Sequence, residues 1–157
     1  MPKPMTIGVK MSSQMLKWVY MQKAYAEWFH SAHLLTKGAS FSGDHVNLYG
    51  KIYQEAIDQY DSVIERVIGL TNNEDCACPS SIAMGSLGVL QKYPSPANMP
   101  ALNIAAAALQ LNLEYCNFLS DLVHQLKQAE SITLGTEDLI AGICNTLEGY
   151  TYLLQQS

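Results

Sequence analysis

Leu70-Thr-Asn-Asn-Glu-Asp-Cys-Ala-Cys-Pro79-Ser-Ser-Ile-Ala-Met-Gly-Ser-Leu-Gly-Val-Leu90-Gln-Lys-Tyr-Pro-Ser-Pro-Ala-Asn-Met-Pro100 is a connection of about 30 residues between two pairs of helical patterns. Turn formers crowd both of its ends, at Asn72-Asn-Glu-Asp75, Cys78-Pro79 and Tyr93-Pro-Ser-Pro96. Its middle, residues 79–90, reads as a short helix that Pro79 can open, because a first-turn residue needs no N–H.

Upstream, a first helix spans about residues 13–37, with Met15, Leu16, Val19, Tyr20, Ala24, Trp28, Ala32 and Leu35 at helical spacing. Ser12 or Ser13 can cap it and Gly38 stops it. A second spans about residues 45–69, with Asp44 as N-cap and a stripe of Leu48, Ile52, Ala56, Tyr60, Val63 and Val67 that Gly50 interrupts early. Downstream, a third spans about residues 100–128 and a fourth about 137–156, with Thr136 as N-cap. No strand-like alternation or internal repeat stands out. Short loops make each pair an antiparallel hairpin, and the long connection can run the height of the bundle, leaving helices two and three parallel. The expectation is an all-α, ferritin-like four-helix bundle with a short helix in the crossover between helices two and three.

The 157 residues suit a single domain, 1–157, with a short flexible N-terminal segment of about residues 1–11. Apolar residues make up 48% and charged residues 15%, against about 25% in ordinary domains. So few charges imply that other copies of the chain cover part of the outer surface. Net charge is −5, Arg66 is the single arginine, and no basic arm is present, which argues against DNA binding through the tails. Cys76 and Cys78 lie in a polar loop and Cys116 and Cys144 in helical patterns. One Cys-Ala-Cys falls short of the four ligands of a structural zinc, so the four read as free thiols of a reducing compartment. No apolar run reaches the roughly 18 residues of a membrane span and no leader-like segment is visible. A cytoplasmic protein without membrane contact is expected.

Glu27-Trp-Phe-His30 is a Glu-x-x-His motif, of which a bundle holding two irons within one chain needs two. No second is present, and Glu114 is the only acid near the centre of helix three. What remains is a spread set: His33, His45, Asp61 and Glu65, with Asp61 and Glu65 at i, i+4 on one helix face. Imidazole with carboxylate suits iron, zinc or manganese. His45 can instead be an exposed first-turn residue, and Asp44 either a ligand in its place or only a cap. Asp58, on the face of the two acids, and His30, one turn from His33, are auxiliary candidates together with Asp44. Asp121, Glu130, Glu137 and Asp138 are candidates for inner-surface acids or solvated helix ends. His124 reads as structural, and Trp18, Tyr20, Tyr25 and Trp28 as packing rather than an electron path.

The run His33-Leu-Leu-Thr-Lys37-Gly38-Ala-Ser-Phe41, a second histidine twelve residues after the first at His45, and Asp61-Ser-Val-Ile-Glu65-Arg66 together resemble the miniferritin, or Dps, family. In looser form the resemblance extends over residues 13–156. Leu34 stands where that family usually has Trp, and Tyr49 where an acid is usual four residues past the second histidine. His45 and Asp61 are sixteen residues apart, one more than usual.

The resemblance implies a ferroxidase that oxidises Fe(II), as non-haem iron, with hydrogen peroxide, stores the mineral and protects against oxidative damage. It implies His33 and His45 from one subunit and Asp61 and Glu65 from its two-fold partner as catalytic and metal residues, in a homo-oligomeric shell, a dodecamer. The alternative is a Dps-like shell without iron chemistry, acting as a DNA-binding or structural protein. Because metal and proton compete for imidazole, ferroxidase activity is expected to fall in acid.

Overall fold

The computed structural model describes residues 9–157, and among them the chain forms five helices and no strand. They are α1 (Val9–Leu35), α2 (residues 41–71), α3 (Pro79–Leu90), α4 (Ala101–Gln128) and α5 (Leu134–Gln155). Helix α2 is composite: Phe41–Asp44 and Lys51–Thr71 are α-helical and His45–Gly50 between them is a π-turn. This is the element order read from the sequence, with α3 as the helix of the crossover.

Helix α1 packs on α2, α3 and α4, and α4 pairs with α5. Met15, Trp18, Val19, Tyr25, Phe29 and Ala32 of α1 are all buried, so the helix is covered round most of its circumference. Helix α2 buries a single stripe, Ile52, Ala56, Val63 and Val67, and leaves its opposite face to solvent. Ala105, Ala107 and Ala108 of α4 are buried.

A neutral hydrogen-bond ladder crosses the core at mid-height. Gln22 donates its side-chain amide to the Ala56 carbonyl at 2.8 Å, tying α1 to α2, and accepts from the Tyr115 hydroxyl of α4. The Tyr25 hydroxyl donates to Asn112 Oδ1 at 2.7 Å, and Asn112 Nδ2 donates to the Leu147 carbonyl at 2.8 Å and to Thr151 Oγ1 at 2.9 Å on α5. Two amides and two phenols thus join four helices, and among the described residues no charged side chain is buried with them.

Helix boundaries differ from the sequence reading where backbone donors find other partners. Ser12 and Ser13 do not cap α1, which already runs through them from Val9. Of the segment expected to be flexible, residues 1–8 lie outside the described residues, and residues 9–11 are helical. Gly38 does end the first hairpin helix: its φ of +72° suits glycine, and a turn Gly38–Ser40 leads straight into α2. The Phe41 N–H bonds to the Gly38 carbonyl, so Asp44 is not an N-cap; it sits in helical conformation with no capping bond. Helix α2 ends at Thr71, two residues beyond Gly69, where Asn72 at φ +53° caps it. Thr133, not Thr136, caps α5, its hydroxyl accepting the Thr136 N–H at 3.2 Å.

The substitution Asn112→Ala strands the Tyr25 hydroxyl in the core and removes the amide's bonds to the Leu147 carbonyl and to Thr151 Oγ1. It should destabilise the fold by about 2–4 kcal/mol in urea unfolding, whereas Asn117→Ala, on the exposed side of the same helix, should cost less than about 0.5 kcal/mol.

Candidate functional site

The end of α1 and the first turns of α2 meet through two histidines. His45 Nδ1 donates to the His33 carbonyl at 2.6 Å, and His33 Nδ1 donates to the His45 carbonyl. A carbonyl oxygen can only accept, so each Nδ1 carries a proton, and in the neutral ring Nε2 then keeps its lone pair. This is the tautomer in which histidine binds a metal, its other nitrogen oriented by a backbone carbonyl. The two rings stack at 4.0 Å with an 11° interplanar angle, and Phe41 stacks on His45 at 4.5 Å. Beside them His30 stacks on Tyr53 at 4.1 Å, its ring centre 6.4 Å from that of His33.

His33, Val46, Gly50, Lys51, Tyr53 and Gln54 line a shallow hollow of about 240 Å³. Leu34, Phe41 and Val46 around the histidines are 58%, 45% and 61% exposed, an apolar rim of the kind that marks a contact surface. Gly50, which the helical pattern presented only as an interruption, lies against the His33 ring. Its one sequence signal is a glycine inside an otherwise helical run.

The position where an acid would complete the set is empty of carboxylate. Counted from His45 it is Tyr49; counted back from Asp61 across the extra residue it is Gly50. Tyr49 is fully buried, with its ring 6.3 Å from that of Phe29. Burial, and after it the charge of Asp44, pushes the Tyr49 hydroxyl up to about 12. Asp44 is half-buried and its carboxyl is raised by that burial.

Asp58, Asp61 and Glu65 are exposed on the solvent side of α2. From Gly50 to Asp61 is eleven residues, about 16 Å along the helix. The chain therefore brings His33 and His45 together and keeps Asp61 and Glu65 away from them. Among the described residues no three His, Cys, Asp or Glu side chains gather into a metal-holding group. Arg66 donates to Thr136 Oγ1 at 3.4 Å and so serves as a tie to α5. Glu27 pairs with Lys23 at 3.6 Å, and Glu137 with Lys127 at 2.7 Å. Asp121, Glu130, Asp138 and His124 are exposed.

All four cysteines are free. Cys76 is buried and its thiol is raised by that burial. Cys78 sits just before α3, where hydrogen bonds from Ser80 and Ser81 lower its thiol to about 7. Cys116 is raised to about 11 by burial and by neighbouring Cys144, itself raised by burial. Cys76 and Cys78 thus sit in different environments rather than as a matched ligand pair. Iodoacetamide at pH 7 should alkylate Cys78 at least tenfold faster than the other three, with a rate that falls below pH 7 as thiolate is lost. Even labelling in peptide mass mapping would contradict the lowered thiol.

No family model and no curated protein sequence matches the chain. Among solved structures, Mycobacterium smegmatis Dps in its tetragonal form superposes with a TM-score of 0.70 at 14% identity, over 95% of this chain and 91% of that one. No described helix is long and apolar enough to cross a membrane. The element order, the crossover helix and this superposition together give the chain the all-α, ferritin-like fold of Dps.

Proposed function

We propose that this chain is a miniferritin that oxidises Fe(II) at a site shared between two copies and stores the Fe(III) product inside a closed homo-oligomeric shell, a dodecamer. The observation that carries the reading is the His33–His45 pair: two stacked imidazoles, each with Nδ1 committed to a backbone carbonyl and Nε2 left to bind. Two nitrogens are an incomplete set for iron. The exposed carboxylates of Asp61 and Glu65 supply the missing oxygens only from another copy, since their own chain holds them about 16 and about 22 Å from Gly50 along α2. An isologous two-fold contact exchanges such halves reciprocally and yields two equal sites per dimer. The rim of Leu34, Phe41 and Val46 suits burial in that contact.

Iron is here the substrate. His33 and His45 would hold Fe(II), and the partner's carboxylates would stabilise the harder Fe(III). Two Fe(II) give two electrons to one hydrogen peroxide, whose O–O bond breaks without releasing a hydroxyl radical. Water supplies the remaining oxygen of the ferric oxyhydroxide and protons leave to solvent. Asp44, Asp58 and His30 are the auxiliary candidates; the burial that raises the Asp44 carboxyl weakens its case. A role in iron homeostasis and protection from oxidative damage follows from this chemistry, and a cytoplasmic location is part of the proposal.

A second reading, a shell that kept the fold and lost the iron chemistry, draws on the absence of a carboxylate at both Tyr49 and Gly50. Kinetics separate the two. Asp61→Ala/Glu65→Ala should oxidise Fe(II) with peroxide at least tenfold more slowly than the wild type; equal rates, or no acceleration by the wild type over buffer, support the second reading. Sedimentation should give a mass many times the 17.3 kDa chain, and a monomer would end the shared-site proposal.

Complementation tests the sharing directly. When His33→Ala/His45→Ala and Asp61→Ala/Glu65→Ala chains are co-expressed, each mixed dimer keeps one intact site. Random pairing should then restore about a quarter of the wild-type rate; no restoration would mean that the four residues do not meet across a two-fold axis.

A further inference from the structure

We infer that Gly50, held in the π-turn of α2, is a positioning residue for the two histidines: having no Cβ, it lets the His33 ring lie against α2, so that both imidazoles keep Nδ1 on a carbonyl and Nε2 free. The metal-binding purpose of this arrangement rests on the proposed iron site; the arrangement itself does not.

Gly50 has φ −63° and ψ −41°, ordinary helical values that any residue adopts. Conformational freedom therefore does not explain it, and a glycine inside a helix costs about 0.5–1 kcal/mol relative to alanine. Close approach does explain it. A Cβ at Gly50 would lie 2.7 Å from the His45 carbonyl oxygen and 2.8 Å from His33 Nδ1, the acceptor and the donor of one hydrogen bond, and 3.1 Å from His33 Cε1. Side chains do not fit at such distances. Gly69 on the same helix would present its Cβ to open space, so the constraint belongs to position 50 and not to α2 as a whole.

The π-turn supplies the other half of the device. A π-turn takes up one residue more than the α-turn it replaces, and the spacing of sixteen residues between His45 and Asp61 carries that residue. With it, Leu48 and Tyr49 are buried in the core while His45 stands level with His33. Taking the residue out would turn the segment before it by about 100° and carry His45 away from its partner.

The test reads the imidazoles without iron. In full-length ¹⁵N-labelled, metal-free protein at pH 8, long-range ¹H–¹⁵N correlation should show His33 and His45 protonated at Nδ1. Gly50→Ala should move at least one of them off that tautomer and weaken Co(II) binding at least tenfold, with Gly69→Ala unchanged in both. Deleting exposed Asn47 restores an ordinary turn; this variant should stay folded by circular dichroism and lose the paired Nδ1 signals, and it decides the matter if Gly50→Ala does not fold. Retention of both Nδ1 signals and of wild-type Co(II) affinity in the folded variants would overturn the proposal. Loss of the signals in a protein whose wild type does not oxidise iron would leave Gly50 as a positioning residue and remove the ferroxidase reading instead.

Discussion

The rest of the structure hangs on the amide of Gln22. Buried between α1 and α2, it donates to the Ala56 carbonyl and accepts from Tyr115, so it has its partners only when α1, α2 and α4 stand in one register. A slip along the helix axis would leave the amide and the Tyr115 hydroxyl unpaired in the core, at a cost of about 1–3 kcal/mol for each group. From Gln22 to His33 is eleven residues up α1, and from Ala56 to His45 is eleven residues back along α2. In an antiparallel pair those counts, with one residue of the second taken up by the π-turn, bring the two histidines together. The site at the end of the hairpin is thus set by a hydrogen bond roughly 16 Å below it.

The same ladder accounts for what the core does not do. Bundles with a metal centre inside one chain aim carboxylates and histidines at one another from all four helices. Here the corresponding depth is filled by Gln22, Tyr25, Asn112 and Tyr115, neutral groups that satisfy one another. Unpaired carboxylates at that depth would carry a desolvation penalty of several kcal/mol each. The bundle gains a specified register, and among the described residues that depth holds no cluster of metal-ligating side chains.

The bundle was legible in the sequence because it rests on periodicity and turn chemistry. Ile52, Ala56, Val63 and Val67 fall on the buried stripe as spaced, Gly38 ends its helix, and Pro79 opens the crossover helix. Boundaries were less legible, since a cap depends on which donors are still free. Asp44 looks like a cap until the turn Gly38–Ser40 satisfies the helix start upstream of it, and Thr136 looks like one until Thr133 does the same. The spread set was half legible. Spacing alone placed Asp61 and Glu65 on one face, and the absence of a second Glu-x-x-His argued that the four residues do not converge within the chain. The extra residue between His45 and Asp61 left the histidine register open, because a count of residues does not distinguish a displaced helix start from a π-turn. Gly50 was read as a weakness in the helix because its partner, the His33 ring, comes from another helix.

A half-formed site has a physical advantage. Two imidazoles held by Nδ1–H bonds to carbonyls need no rearrangement to bind in the proposed site, so the ordering cost is met when the chain folds rather than when metal arrives. Carboxylates left on the solvent side of α2 keep their hydration and cost nothing until another surface covers them. Bringing such halves together makes metal binding and association a single linked equilibrium, in which whatever favours one favours the other. The low charge content, 15% of residues, and the exposed Leu34, Phe41 and Val46 beside the histidines lower the cost of covering that surface. On the proposed reading the apolar rim and the two Nε2 atoms are parts of one arrangement: the rim would drive the contact, and the contact would bring oxygen ligands to the nitrogens.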